Sequence, residues 1–204
     1  MKLPTQQQCL NYFKEYKVPE NIKRHCLKVQ EAAVFLAREL CKSGVEINVE
    51  LVRAGSILHD LFKMAGIKDL KSSRHHPVVF SEDELAMREE LRKQFPGKHE
   101  TQIAHEIFKD EFPELALTLL HEGDPYLLEK TIEEALITYV DYRIFKERIV
   151  SLDERFAYFA EVYAAKNNLW EMALEYNRKI ERELFKKISF PPEELGQVIE
   201  HART

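Results

Sequence analysis

The chain has 204 residues, 45% of them apolar, which suits one domain with a real core and excludes a disordered polymer. Lys plus Arg number 30 and Asp plus Glu 35, a formal charge of −5 that disfavours a general nucleic-acid binder but leaves room for a local site that takes a small anion. Three cysteines, Cys9, Cys26 and Cys41, form no C-x-x-C pair and so give neither a disulfide framework nor a zinc knuckle.

Cys26 and Cys41 fall among apolar residues of a helical pattern and are expected in the core, as suits a reducing cytoplasm. The first eight residues hold no apolar signal segment, and no run approaches the ~18 apolar residues of a membrane span. A cytoplasmic chain without a membrane partner is the expectation.

The periodicity is helical almost throughout, with no hairpin dipeptide and no sustained alternation, so the expected class is all-α. A first helix is predicted from about Thr5 to Tyr16. Pro19 opens a second, to about Lys42, whose Ile22, Cys26, Val29, Ala33, Leu36 and Leu40 recur at spacings of three and four; Gly44 ends it. Asn48 caps a third, which stops near Met64–Gly66, and residues 67–80 read as a loop. Ser81 with Glu84 forms a capping box for a fourth, to Phe95. The fifth starts near His99 and stops near Phe112; Pro113 opens the sixth, to Gly123. Thr131 with Glu134 caps a seventh, to about Arg148, and Ser151 with Glu154 an eighth. A last helix is predicted from about Asn168 to Ile188, before Pro191-Pro192. The division is a helical core over 1–166 and a C-terminal helix and tail over 167–204, packed on that core or on a partner subunit in a homodimer.

His59-Asp60 is the first pair that could do chemistry. Neighbours on a regular helix point ~100° apart, so they share a cation only in the groove between them or near a fraying end. The pair stands close to a helix end, one turn before Gly66, and imidazole with carboxylate suits a divalent transition metal. Alone, it reads as a helix-end histidine beside a surface aspartate. His25 alone would read as a core histidine. Asp141, inside Ala135-Leu136-Ile137-Thr138-Tyr139-Val140-Asp141-Tyr142, sits in a stretch too apolar for an unpaired carboxylate and needs donors, a cation or a metal.

Three segments carry a resemblance. They are Arg24-His25-Cys26-Leu27-Lys28-Val29, then Ile57-Leu58-His59-Asp60-Leu61-Phe62-Lys63, then Tyr139-Val140-Asp141-Tyr142-Arg143-Ile144 with Ser151-Leu152-Asp153-Glu154-Arg155-Phe156. In this order, with His-Asp-x-x-Lys intact, the chain resembles the HD superfamily of metal-dependent phosphohydrolases over about residues 20–165. The resemblance implies an HD-domain helical bundle, here with an added C-terminal long helix. It implies metal ligands at His25, His59, Asp60 and Asp141 and catalytic roles for Asp60 and Lys63. His99 and His121 are similar to the pair that holds a second metal in some HD families, including the branch that hydrolyses dinucleoside polyphosphates. His105 is a rival to His99, and Tyr142 departs from the Lys that related sequences often carry.

The implied activity is hydrolysis of a phosphomonoester or phosphoanhydride, of a nucleotide by family resemblance, by a water that one or two ions of manganese, iron, cobalt, nickel or zinc activate. Arg24 and Arg143 are candidates to bind the substrate, with Arg74, His75 and His76 as weaker ones in the loop. The ordinary readings stand beside these: Lys63 and His121 as helix-end residues that complement the dipole, His99 as a solvated first-turn residue. Two other functions stay open, a catalytically silent HD-fold nucleotide-binding or regulatory module and a nuclease. Intact ligands count against the first, and the acidic balance against the second.

Overall fold

The structure is a computed structural model, and it describes residues 1–67, 70, 79–124, 129–162 and 169–202. The regular structure there is helical apart from one two-residue hairpin. α1 (Gln6–Glu15) opens with a capping box in which Thr5 accepts from the Gln8 amide and the Gln8 side chain accepts from the Thr5 amide. α2 (Glu20–Lys42) follows Pro19 and ends before Gly44, whose φ of +80° is the left-handed geometry that stops a helix. Asn48 caps α3 (Val49–Leu58) by accepting from the amides of Glu50 and Leu51.

The third helix departs from expectation in a way that matters for the site. It does not run unbroken to Gly66. After Leu58 the backbone tightens into i to i−3 hydrogen bonds, from the Leu61 amide to the Leu58 oxygen and from the Lys63 amide to the Asp60 oxygen, before the short α4 (Lys63–Gly66). His59 and Asp60 occupy this tightened turn.

α5 (Glu82–Gln94) is capped by Ser81 and Glu84 as predicted. α6 (Glu100–Phe108) and α7 (Pro113–Glu122) pack as a pair. α8 (Ile132–Arg143) has the predicted Thr131–Glu134 box but stops at Arg143, five residues early. There the chain reverses through β1 (Ile144–Phe145) and β2 (Arg148–Ile149), antiparallel with Ile144 opposite Ile149. Lys146 and Glu147, with φ of 47° and 65°, supply the left-handed turn that a two-residue hairpin needs. Neither is the glycine or asparagine that would announce it.

α9 (Leu152–Val162) and α10 (Leu169–Phe185) follow. A 3-10 turn at Pro192–Glu194 then leads into an unpredicted α11 (Leu195–His201). Another correction concerns Cys41, which is exposed: α2 turns Leu40 inward, and the next residue lies a quarter turn or more away on the wet side.

Two buried apolar clusters make the core. One joins α1, the start of α2, α3, α4, α6 and α7 through Phe13, Cys26, Ile57, Leu58, Phe62, Ile103, Phe108 and Leu119. The other joins the rest of α2 to α8, α9, α10 and α11 through Val29, Leu36, Val140, Phe156, Ile180, Leu184, Leu195 and Ile199. The C-terminal helices thus pack on the core of their own chain. Gly55 lets α3 close on α8: a Cβ there would stand 2.6 Å from the Ile137 side chain.

Candidate metal centre

His25 directly precedes Cys26, where the first cluster ends on α2, and the second cluster begins one turn later at Val29. His59 directly follows Leu58 of the first cluster, and Asp141 follows Val140 of the second. The site therefore lies at the seam, where three helices deliver polar groups between two apolar masses. His59 and Asp60 are buried, while His25 and Asp141 keep about a fifth of their side chains exposed, at 19% and 22%. The seam opens to solvent on their side.

The distances bring four of the predicted ligands together. His25 Nε2 lies 2.7 Å from Asp141 Oδ1 and 3.9 Å from Asp60 Oδ2. His59 Nε2 lies 3.7 Å from Asp60 Oδ2 and 3.5 Å from Asp141 Oδ1. Ligating atoms of His25, His59 and Asp60 all lie within 4.8 Å of one another, the one such group of three or more among the described residues, and it could hold a metal ion.

The protonation of His59 follows from its surroundings. Nδ1 stands 2.8 Å from the Ser56 carbonyl oxygen, which can only accept, so Nδ1 carries a proton and donates it. Nε2 is buried with no hydrogen-bond partner, facing two carboxylates. Burial pushes the imidazolium down, but the charge of Asp60, then Cys26 and Asp141, outweighs burial and holds His59 well above its usual value. Burial likewise raises Asp60 and Asp141. Lys63, His59 and His25 overcome it for Asp60, and His25 and His59 for Asp141, whose carboxyl ends well below the usual range. The pocket thus holds two ionised carboxylates that face His59 Nε2.

Lys63 Nζ donates to Asp60 Oδ2 at 2.5 Å. Burial lowers it, but Asp60 and Asp141 raise it further, so the ammonium stays charged. This lysine is 44% exposed at its side chain, close enough to solvent to meet a ligand.

The other predicted residues are placed differently. His99 caps α6, with Nδ1 3.0 Å from the Thr101 hydroxyl and Nε2 3.2 Å from Glu100 Oε2. Nδ1 of His121 lies 2.9 Å from Oε1 of the buried Glu134. The ends of α6 and α7 that carry them meet, since a Cβ on Gly123 would stand 2.6 Å from Thr101 Cγ2. Neither histidine joins the group of His25, His59 and Asp60 that could hold a metal ion. His105 lies in the last turn of α6, away from the end His99 occupies. Arg24 is exposed and pairs with Glu147 at 3.3 Å. Arg74, His75 and His76 lie outside the described residues.

Arg143 is a correction. It is 3% exposed and all its nitrogens are engaged: Nε with the Val150 oxygen, Nη1 with Glu181 at 2.7 Å and with the Tyr139 hydroxyl, Nη2 with the Pro192 oxygen at 2.9 Å. It ties α8 to the hairpin exit and to the C-terminal segment, with four of its five donors engaged there and the side chain buried.

Two residues near the site were missed by sequence reasoning. Cys26 is fully buried beside His59, and burial pushes its thiol up. Glu122 is half-buried in the field of the same carboxylates: burial, then Asp141 and Asp60, raise it to about 7 against the pull of His59 and Lys130. Its backbone oxygen accepts from Lys130 Nζ at 2.9 Å and from the Thr138 hydroxyl at 3.3 Å. A glutamate at a helix end beside a glycine reads as a surface residue, so the only signal was its adjacency to His121.

Among the described residues no helix is long and apolar enough to cross a membrane. The chain is 34% identical over 139 residues, 66% of its length and 73% of the relative's, to the uncharacterized protein MJ0778 of Methanocaldococcus jannaschii. No family model matches the chain. No solved structure matches it.

Proposed function

We propose that this chain, which belongs to the family of the archaeal protein MJ0778, is a metal-dependent phosphohydrolase of the HD superfamily, centred on His25, His59, Asp60 and Asp141. One observation carries the reading. His59 Nε2 is a buried, unpartnered nitrogen whose ring is set by the Nδ1 hydrogen bond to Ser56, and it faces two carboxylates and a second imidazole. Metal-ligating histidines show this pattern, with the far nitrogen donated to a carbonyl.

The donor set fits the group. Two imidazoles and two carboxylates suit manganese, iron, cobalt, nickel or zinc. A divalent ion held there supplies Lewis acidity and an activated water near neutral pH. The charges of Asp60 and Asp141 balance one such ion, and Lys63 adds a positive charge at the accessible side. That residual charge favours a phosphate ester or anhydride over a neutral substrate. Asp60 holds the Lys63 ammonium and orients it, and Lys63 neutralises charge on a phosphoryl oxygen or leaving group. A nucleotide as the substrate rests on the superfamily resemblance, since a fold does not fix a substrate.

The test is metal bound per chain after anaerobic reloading with manganese or iron, in the wild type and in Asp60→Ala. About one ion per chain in the wild type and far less in the variant supports the reading. A value near two would add His99 and His121 as ligands of a second ion. No bound metal in the wild type removes the reading and leaves a silent binding module in its place.

A further inference from the structure

We propose that Arg155 is a substrate-binding residue that takes the anionic part of a phosphorylated substrate beside Asp141, an inference that rests on the phosphohydrolase reading. The residue lies on α9, and its guanidinium is held by rings. Its central carbon stands 4.3 Å from the Phe159 ring centroid, 5.1 Å from that of Phe145 and 5.9 Å from that of Tyr158. Rings give a guanidinium attraction and orientation but no hydrogen-bond acceptor, so its donors remain available.

No carboxylate among the described residues pairs with Arg155, and its buried Nε has no hydrogen-bond partner. The acids that precede it are engaged elsewhere, Asp153 with Arg178 and Glu154 with Arg148. A half-buried cation with an orphaned donor is costly unless an anion completes it.

Packing places this cation by the proposed centre. Tyr142, the residue after Asp141, stacks on Phe156 at 5.0 Å between centroids and meets Phe159 edge-on at 5.9 Å. Phe159 is the ring most closely covered by Arg155. The hairpin that supplies Phe145 reaches back to the metal-binding end of α2, because Glu147 at its turn pairs with Arg24, the neighbour of His25. An aromatic frame holds the planar fork in advance, which reduces the ordering cost of binding.

The experiment is calorimetric titration of inorganic phosphate into manganese-loaded protein, for the wild type, Arg155→Gln and Arg155→Lys, with manganese content measured on each sample. The expected result is unchanged manganese content and a phosphate Kd raised about tenfold in Arg155→Gln, the effect of losing one charged hydrogen bond. Arg155→Lys should lose less, because the ammonium keeps the charge without the fork. Equal phosphate Kd in the wild type and Arg155→Gln overturns the assignment, as does a manganese-loaded wild type that takes no phosphate. A wild type that takes no manganese overturns the phosphohydrolase reading itself, so metal content separates the two failures. Should Arg155→Gln fail to fold by circular dichroism, Arg155→Lys decides, and an affinity equal to the wild type's overturns the proposal.

Discussion

His59 Nδ1 donates to the carbonyl oxygen of Ser56, 2.8 Å away and one turn earlier in the chain. That bond fixes which nitrogen faces Asp60 and Asp141. It uses a carbonyl near the end of α3, where the change to i to i−3 bonding leaves oxygens without a regular helical partner. The backbone irregularity and the orientation of the proposed ligand are one feature.

Metal binding should therefore release a proton. Asp60 and its neighbours hold His59 well above 6.5 in the metal-free protein, so near neutral pH Nε2 carries a proton that a metal must displace. Affinity should tighten about tenfold per pH unit while His59 is protonated, the slope of a one-proton exchange. Titrations in buffers of different ionisation enthalpy would count the proton. A pH-independent affinity in this range would mean that His59 is neutral in the free protein or is no ligand.

The same shifts set the stability of the metal-free protein, with opposite signs. The pKa of His59 is raised on folding, so its contribution is complete below its unfolded value of about 6.5 and is lost as pH rises through the higher folded value. That of Asp141 is depressed, so its contribution is present above its unfolded value of about 3.8 and is lost as pH falls through the lower folded value. Thermal melts of chelator-treated protein should show Tm falling on the alkaline side, and His59→Gln should flatten that fall. An alkaline limb of equal slope in the variant would assign it to another group.

Helix caps and core stripes were legible in the chain because they are local. Ser81 with Glu84 and Thr131 with Glu134 form the boxes their spacing predicts, and Ile22, Cys26, Val29, Ala33, Leu36 and Leu40 are all buried on α2. His25, His59, Asp60 and Asp141 could be nominated from residue type and context, but their approach to within 4 Å is a tertiary fact. What stayed hidden depends on direction. Arg143 lies two residues beyond Asp141, and only the reversal at Lys146–Glu147 shows that its guanidinium meets the C-terminal segment. Cys41 differs from Leu40 by one step round the helix, which an apolar window does not resolve.

Arg143 yields a prediction that separates stability from chemistry. Its ion pair with Glu181 is buried on the arginine side, and Arg143→Met leaves Glu181 and the Val150 and Pro192 oxygens without that donor. Removing one partner of a buried pair costs about 3 kcal/mol, the lower end being appropriate because Glu181 is partly exposed. Urea denaturation should show this loss, while metal per folded chain stays at the wild-type level. A variant of normal stability that bound substrate less tightly would return Arg143 to the substrate.

Lys63→Met tests whether the ammonium beside Asp60 acts in catalysis or only balances charge. Its Nζ lies 2.5 Å from Asp60 Oδ2, so its removal leaves Asp60 with the imidazoles of His59 and His25 as its nearest polar neighbours. A carboxylate freed of a competing cation remains a metal ligand, so metal content should persist. Turnover of a phosphate ester should fall about a hundredfold, the scale for losing one preorganised group that stabilises developing charge. The fall should appear in kcat more than in KM if Lys63 meets the charge that forms on the phosphoryl group or leaving oxygen. Loss of metal together with activity would make Lys63 a support for Asp60, and a change confined to KM would make it a substrate anchor.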